Sequence, residues 1–285
     1  MFFKIFSFRV FTIAFVLFSL FSFSQKSKSN SLYQELGNYV IKNYDNVFLE
    51  RPESIWSVIK SSSDNLVYYG TFNGIKEYDG KNVRKISVDG QIEKEIGSEY
   101  VKSIIESSTG DLFVSGPYVL GVLLNNEFAS KEYISLLTQI PDSINPYQQN
   151  FLSIKEFDSK IYASTPEKIF RWDGDKFDNI WSFSDYQGSI DSKGKIHFLF
   201  KVGDRLFIRQ WGIGLLELIN DEFVFIEGSE MYASNRVEIM FSSKNENISI
   251  YSSTNGAYIL DQKGVFSKSK NNNLNKWLMD SNVAY

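Results

Sequence analysis

From residue 51 onward the chain alternates between short runs rich in Ile, Val, Tyr and Phe and clusters of Asn, Asp, Gly and Ser. Such runs predict β-strands, and the clusters between them predict tight turns. The alternation also repeats at a longer period. Five segments share one plan: a β-rich run, a few polar or glycine residues, a second β-rich run, a turn, and an aromatic or aliphatic residue shortly after. The first carries NLVYYGT from Asn65, GIKEYD from Gly74, the turn Asp79–Gly80 and Val83. The second carries DLFVSG from Asp111, VLGVLLN ending at Asn125, the turn Asn125–Asn126 and Phe128. In the third, KIYAST from Lys160 and KIFRWD from Lys168 lead to Asp173–Gly174 and Phe177. The fourth has RLFIRQ from Arg205, GLLELIN from Gly214, Asn220–Asp221 and Phe223; the fifth has NISIYSS from Asn247, GAYILD from Gly256, the turn Gln262–Lys263–Gly264 and Phe266.

The first turn residues, at 79, 125, 173, 220 and 262, stand 46, 48, 47 and 42 residues apart. Asn, Asp and Gly at these corners permit the positive φ that a two-residue hairpin requires. A further β-rich run precedes four copies, from Ile55, Val101, Phe151 and Val237, and HFLFKV from His197 serves the remaining one. With the run after each turn, such as DKFDNIWSF ending at Phe183, each unit has four strands. Four antiparallel strands at this period match a propeller blade. The predicted fold is all-β, a β-propeller of four-stranded antiparallel blades, with about five blades over residues 51–270. Residues 271–285, with Trp277 to Tyr285, read as the opening of a further truncated blade. The best helical pattern is Ser31 to Tyr44, a short lead-in within 25–50, and the end of that stretch near Phe48 could supply a closing strand. An unfinished arc would expose blade faces and strand edges, predicting aggregation or a partner that continues the ring; a closed five-bladed ring is the competing arrangement.

The first 24 residues differ from the rest. Lys4 and Arg9 lead an uncharged apolar stretch from Val10 to Phe23, 14 residues long. A membrane span needs roughly 20 apolar residues, whereas a secretory h-region needs only about 7–15 with small residues at the cut. Residues 1–24 therefore read as a signal peptide, cleaved between Ser24 and Gln25, and the mature chain is expected in the periplasm or outside the cell. A short uncleaved anchor is the alternative. Cleavage removes Lys4 and Arg9, taking the net charge from −4 to −6, and no later segment has membrane length. No block of basic residues predicts a nucleic-acid surface.

Candidate chemistry is sparse. Zero cysteines exclude disulfides, thiolate metal sites and cysteine nucleophiles. His197, the single histidine, sits in an apolar run where a core or edge position is expected. Asp173 with Asp175, and Asp221 with Glu222, could suggest paired-carboxylate chemistry, yet they fall in hairpin turns where Asp is favoured for local hydrogen bonding. The sialidase-type Ser-x-Asp-x-Gly-x-Thr-Trp hairpin is not reproduced at residues 62–69 or 107–114. Gly212 and Gly214 lie between strands with no following helix to bind phosphate. No catalytic residue, metal ligand or cofactor is assigned. Trp56, Tyr118, Trp181, Trp211 and Tyr232 fall at or near junctions where propeller ligands bind, but inter-blade packing is the favoured reading of each, so the ligand-binding residues remain unassigned.

The segment from Ile55 to Ile86 resembles the two-component regulator propeller repeat. Ile55-Trp56-Ser57, Gly70-Thr71, Asn73-Gly74-Ile75 and Tyr78-Asp79-Gly80 match its pattern. Residues 212–216 and 254–256 keep the glycine step, and residues 164–167 depart from it. The resemblance spans Gln25 to Tyr285. It implies the extracytoplasmic sensor region of a hybrid two-component or triple-tyrosine-domain regulator, here without the kinase or DNA-binding output that follows in the family, and so a truncated member. The partners it implies are an oligosaccharide or other small extracellular ligand, and a protein that continues the propeller or transmits its signal. A non-catalytic propeller scaffold for protein–protein interaction is the alternative.

Overall fold

The computed structural model describes residues 54–88, 99–125, 130–183, 196–243, 246–270 and 275–276, all within one compact unit. The proposed signal peptide, the Ser24–Gln25 cut, the Ser31–Tyr44 pattern, the run near Phe48 and Trp277 to Tyr285 lie outside the described residues.

Twenty strands form five four-stranded antiparallel sheets, each an up-and-down meander. The first blade is β1 (Ile55–Lys60), β2 (Val67–Thr71), β3 (Gly74–Tyr78) and β4 (Val83–Ile86). The second is β5 (Ser103–Glu106), β6 (Leu112–Gly116), β7 (Val119–Asn125) and β8 (Lys131–Ser135). The third is β9 (Ser153–Phe157), β10 (Lys160–Ser164), β11 (Lys168–Trp172) and β12 (Phe177–Ser182). The fourth is β13 (Ile196–Val202), β14 (Arg205–Gln210), β15 (Gly214–Ile219) and β16 (Glu222–Phe225). The fifth is β17 (Ile239–Ser242), β18 (Ile248–Ser252), β19 (Gly256–Leu260) and β20 (Phe266–Lys268). The repeat read from the sequence is thus the repeat of the fold. Asn220 and Asp221 both adopt positive φ, 49° and 65°, as a hairpin matching the strand twist demands.

The first strands of consecutive blades touch: β5 lies against β1 and β9, and β13 against β9 and β17. These are the inner strands. The cores lie between blades, not within them. Tyr68 and Ile75 of the first blade meet Leu112 and Val114 of the second, whose Phe113 and Val122 meet Ile161 and Phe170 of the third. Tyr162 and Ile169 then meet Ile208 and Leu216, and Phe207 and Leu215 meet Ile248 and Ile250. Successive residues of one strand serve opposite cores, so β6 is buried at every position. Among the described residues no core cluster joins the fifth blade to the first. Val58 of β1 and Ile239 and Phe241 of β17 stay exposed, and the Phe241 ring stacks on Tyr251 with centroids 5.3 Å apart.

Two inter-blade contacts recur at the same register. Glu106, the last residue of β5, reaches back to the β1–β2 turn and accepts hydrogen bonds from Ser62 N and Oγ, Ser63 N and Ser61 Oγ, at 2.8–3.0 Å. Glu156 of β9 likewise accepts from Ser108 N and Oγ in the β5–β6 turn, at 2.9 and 2.6 Å. Lys60, Lys201 and Ser242 occupy the corresponding register of the other inner strands. Burial alone would raise the Glu106 pKa, but the donors outweigh it and hold the carboxyl down to about 2, below its ordinary 4.5. Its contribution is therefore complete above pH 4.5 and is lost as the pH falls through about 2. Glu106→Gln is expected to cost ~1–2 kcal/mol at neutral pH, because hydrogen bonds to charged groups are the stronger ones. Urea titrations at falling pH should show the gap to the unmodified chain close across that window; a pH-independent gap would mean the charge contributes nothing.

Candidate functional site

The inner strands surround a cavity of about 820 Å³, within the range of small-molecule sites. All five blades contribute to its wall: Trp56 of β1, Lys102 and Ser103 at the start of β5, Ser153 and Lys155 of β9, Phe198 to Lys201 of β13, and Arg236 to Met240 leading into β17.

An aromatic cluster is built on Trp56 of this wall. Trp56 is 55% exposed, and Phe72, in the turn between β2 and β3, is 64% exposed. Both pack on Tyr100, from the connection into β5, with ring centroids 5.3 Å and 5.0 Å away. The Lys102 ammonium lies 5.4 Å from the Tyr100 ring centroid. Two exposed rings on a partly buried third, beside a cation, offer flat apolar faces with a polar group alongside.

The polar wall is mostly cationic. Burial lowers the pKa of Lys102 and of the half-buried Lys155. The carboxylate of Glu238 accepts from Ser253 N at 3.0 Å and Ser253 Oγ at 2.9 Å. Close by, Arg209 is fully buried. Its Nε donates to Tyr232 O at 2.8 Å and its Nη2 to Ala233 O at 3.2 Å. Its guanidinium lies 3.5 Å from the centroid of the Trp211 ring, and Nη1 has no hydrogen-bond partner. Burial first, then the Arg236 charge, pulls its pKa down to about 10, against an opposing pull from Glu238.

Of the five aromatics read from the sequence, Trp56 alone is in the channel wall. Tyr232 is a core residue between the fourth and fifth blades. Trp181 packs against Tyr162 and Phe223 and donates to Asp221 O at 3.0 Å, joining the third blade to the fourth. Trp211 carries the Arg209 charge on its face. Tyr118 sits in the β6–β7 turn at φ 61°. Asp173 accepts from Asp175 N and Lys176 N, both at 2.9 Å, as a turn aspartate does, and Asp221 pairs with Arg171 of the neighbouring blade. His197 lies in β13, and its side chain is outside the described residues. Sequence reasoning missed Phe72, Tyr100, Lys102, Lys155 and Arg236. The one available signal was positional: Trp56, Lys102, Leu152 and Glu238 are equivalent residues of the four matching inner-strand runs.

No family model and no curated protein matches the chain. Solved structures do. The extracellular domain of a hybrid two-component system from B. thetaiotaomicron superposes with a TM-score of 0.55 at 12% identity, over 76% of this chain and 27% of that one. The chain therefore spans about a quarter of that domain's length. Virginiamycin B lyase from Staphylococcus aureus gives 0.53 at 11% identity, over 78% of this chain and 72% of the enzyme. A streptogramin B lyase gives 0.52 at 14%, over 79% and 72%. These likenesses show the propeller fold, which occurs both in that extracellular domain and in lyases. Among the described residues no helix is long and apolar enough to cross a membrane.

Proposed function

We propose that the chain is an exported, ligand-sensing propeller region of a two-component-type regulator, and that it binds an oligosaccharide or other small extracellular ligand at the channel. The observation that carries this reading is Trp56, an exposed ring in the channel wall that packs with Phe72 on Tyr100: exposed aromatic rings cost solvation unless something covers them, and ring faces suit the apolar faces of sugars. The apolar stretch of residues 1–24 and the extracellular origin of a structural neighbour support export. Binding without turnover is favoured because Glu238, the one carboxylate in the described wall, is engaged by Ser253.

A ligand that binds only the folded chain raises its melting temperature by mass action. Oligosaccharides screened against the full chain are expected to include at least one that does so, and Trp56→Ala should abolish that shift while leaving the unliganded melting temperature within about 2 °C, since an exposed ring contributes little to stability. A panel without a single responder, or a response that survives Trp56→Ala, would defeat this reading. The exposed Val58 and Phe241 of the first and fifth blades favour a second one, a scaffold that docks another protein chain.

A further inference from the structure

The wall of the channel is more basic than the chain that builds it. Acidic residues outnumber basic ones over the sequence, giving a net charge of −4, yet Lys102, Lys155, Lys201 and Arg236 face the cavity against Glu238 alone. Several cations outside the channel are paired. Arg84 pairs with Glu77, Lys160 and Arg171 with Asp178, Arg205 with Glu217, and the buried Lys131 with Asp64. Among the described residues none of the four channel cations has a carboxylate within ion-pair distance. Arg209 behind them is wholly buried with only two carbonyls and the Trp211 face to hold it, and adds to the same positive field. Lys102 and Lys155 are partly withdrawn from water, which is costly for a cation unless a counter-charge meets it, while Lys201 and Arg236 stay exposed. A cavity wall with four cations and one carboxylate, itself engaged by Ser253, can take its counter-charge from outside.

We infer that the channel takes an anion: a ligand bearing a carboxylate, sulfate or phosphate, held by Lys102, Lys155 and Arg236 while its ring lies on Trp56. This rests on the reading of the channel as the ligand site and adds the ligand's charge. An acidic sugar and a free oxyanion share the recognised chemistry, and the test separates them.

The full chain is titrated with trigalacturonate, with its fully methyl-esterified form, which has the same rings and no charge, and with inorganic phosphate and sulfate, each to millimolar concentration by calorimetry. Trigalacturonate is expected to bind, the methyl ester about tenfold or more weakly, corresponding to the loss of one charged contact. Lys102→Gln with Lys155→Gln should erase that discrimination, whereas Lys263→Gln, in the exposed β19–β20 turn, should preserve it. Equal or tighter binding of the methyl ester overturns the charge inference and leaves saccharide binding intact. Lysine-dependent binding of phosphate or sulfate with neither saccharide bound supports the anion and defeats the saccharide reading. Binding of none of the four, or binding unaffected by the double substitution in a chain of unchanged circular dichroism, overturns the anion site.

Discussion

Phe170→Ala is expected to lower folding stability by about 3–5 kcal/mol, the range for truncating a fully buried aromatic ring. Phe170 lies in β11 with no exposed surface, at the centre of the core between the second and third blades. Its ring meets Phe151 edge-on at 5.4 Å and Phe177 at 5.9 Å, and Phe177 in turn packs on Trp172 at 5.1 Å. Those neighbours come from a connector and two strands whose positions are fixed by their own hydrogen-bond ladders, so the space left behind cannot collapse. The effect should also spread. Each blade is too thin to bury its own apolar surface, and the four cores join the blades in series, as in other stacked repeats. Weakening this link detaches the first two blades from the last three. Urea unfolding should therefore show both a lower midpoint and a shallower transition, since cooperativity is carried across the lost contact. Phe241→Ala, on the outer face of the fifth blade, should cost less than about 1 kcal/mol, because an exposed ring loses little burial. Equal losses at the two positions would mean that the inter-blade cores do not hold the blades together.

The same cores explain what the sequence made readable. Leu112, Val114 and Phe113 form an unbroken apolar run because β6 serves cores on both faces, so a middle strand of a blade announces itself without alternation. Asp79–Gly80, Asp173–Gly174 and Asn220–Asp221 mark corners because few residues accept their backbone conformation. The channel left no such mark. Lys155 reads locally as one polar residue in the strand SIKEF; it becomes informative only when the fold sets it facing the same space as Lys102 and Arg236, from two other blades. Glu106 and Glu156 were equally silent, since the serines that engage them belong to the preceding unit. Trp56 was visible as part of a repeat motif, but the motif does not distinguish a ring in a channel wall from one packed between blades, and Tyr232, read only as an aromatic near a junction, proved to be core.

Gly116→Ala is expected to remove about 3 kcal/mol or more, at the upper end of what overpacking costs, and to disturb the channel as well. Gly116 ends β6 with an ordinary backbone conformation, so alanine meets no conformational penalty there; what it meets is space already filled. A Cβ at this position would lie 1.9 Å from the carbonyl oxygen of Tyr100, 3.0 Å from its carbonyl carbon and 3.3 Å from Val101 Cα. All three are main-chain atoms and cannot rotate aside. At Gly70, by contrast, the nearest atom is the Ser57 hydroxyl at 2.5 Å, which can turn away, so Gly70→Ala should be the milder change. The connector that Gly116 admits is the one that carries Lys102 to the channel and Tyr100 to Trp56, and it hydrogen-bonds Lys102 N to Ser115 O at 2.8 Å. If the Gly116→Ala chain stays folded, it does so by pushing that connector outward, parting Tyr100 from Trp56 and altering the tryptophan fluorescence. A chain within about 1 kcal/mol of the original and with unchanged fluorescence would show that the close approach of β6 to this connector is not what sets the aromatic wall.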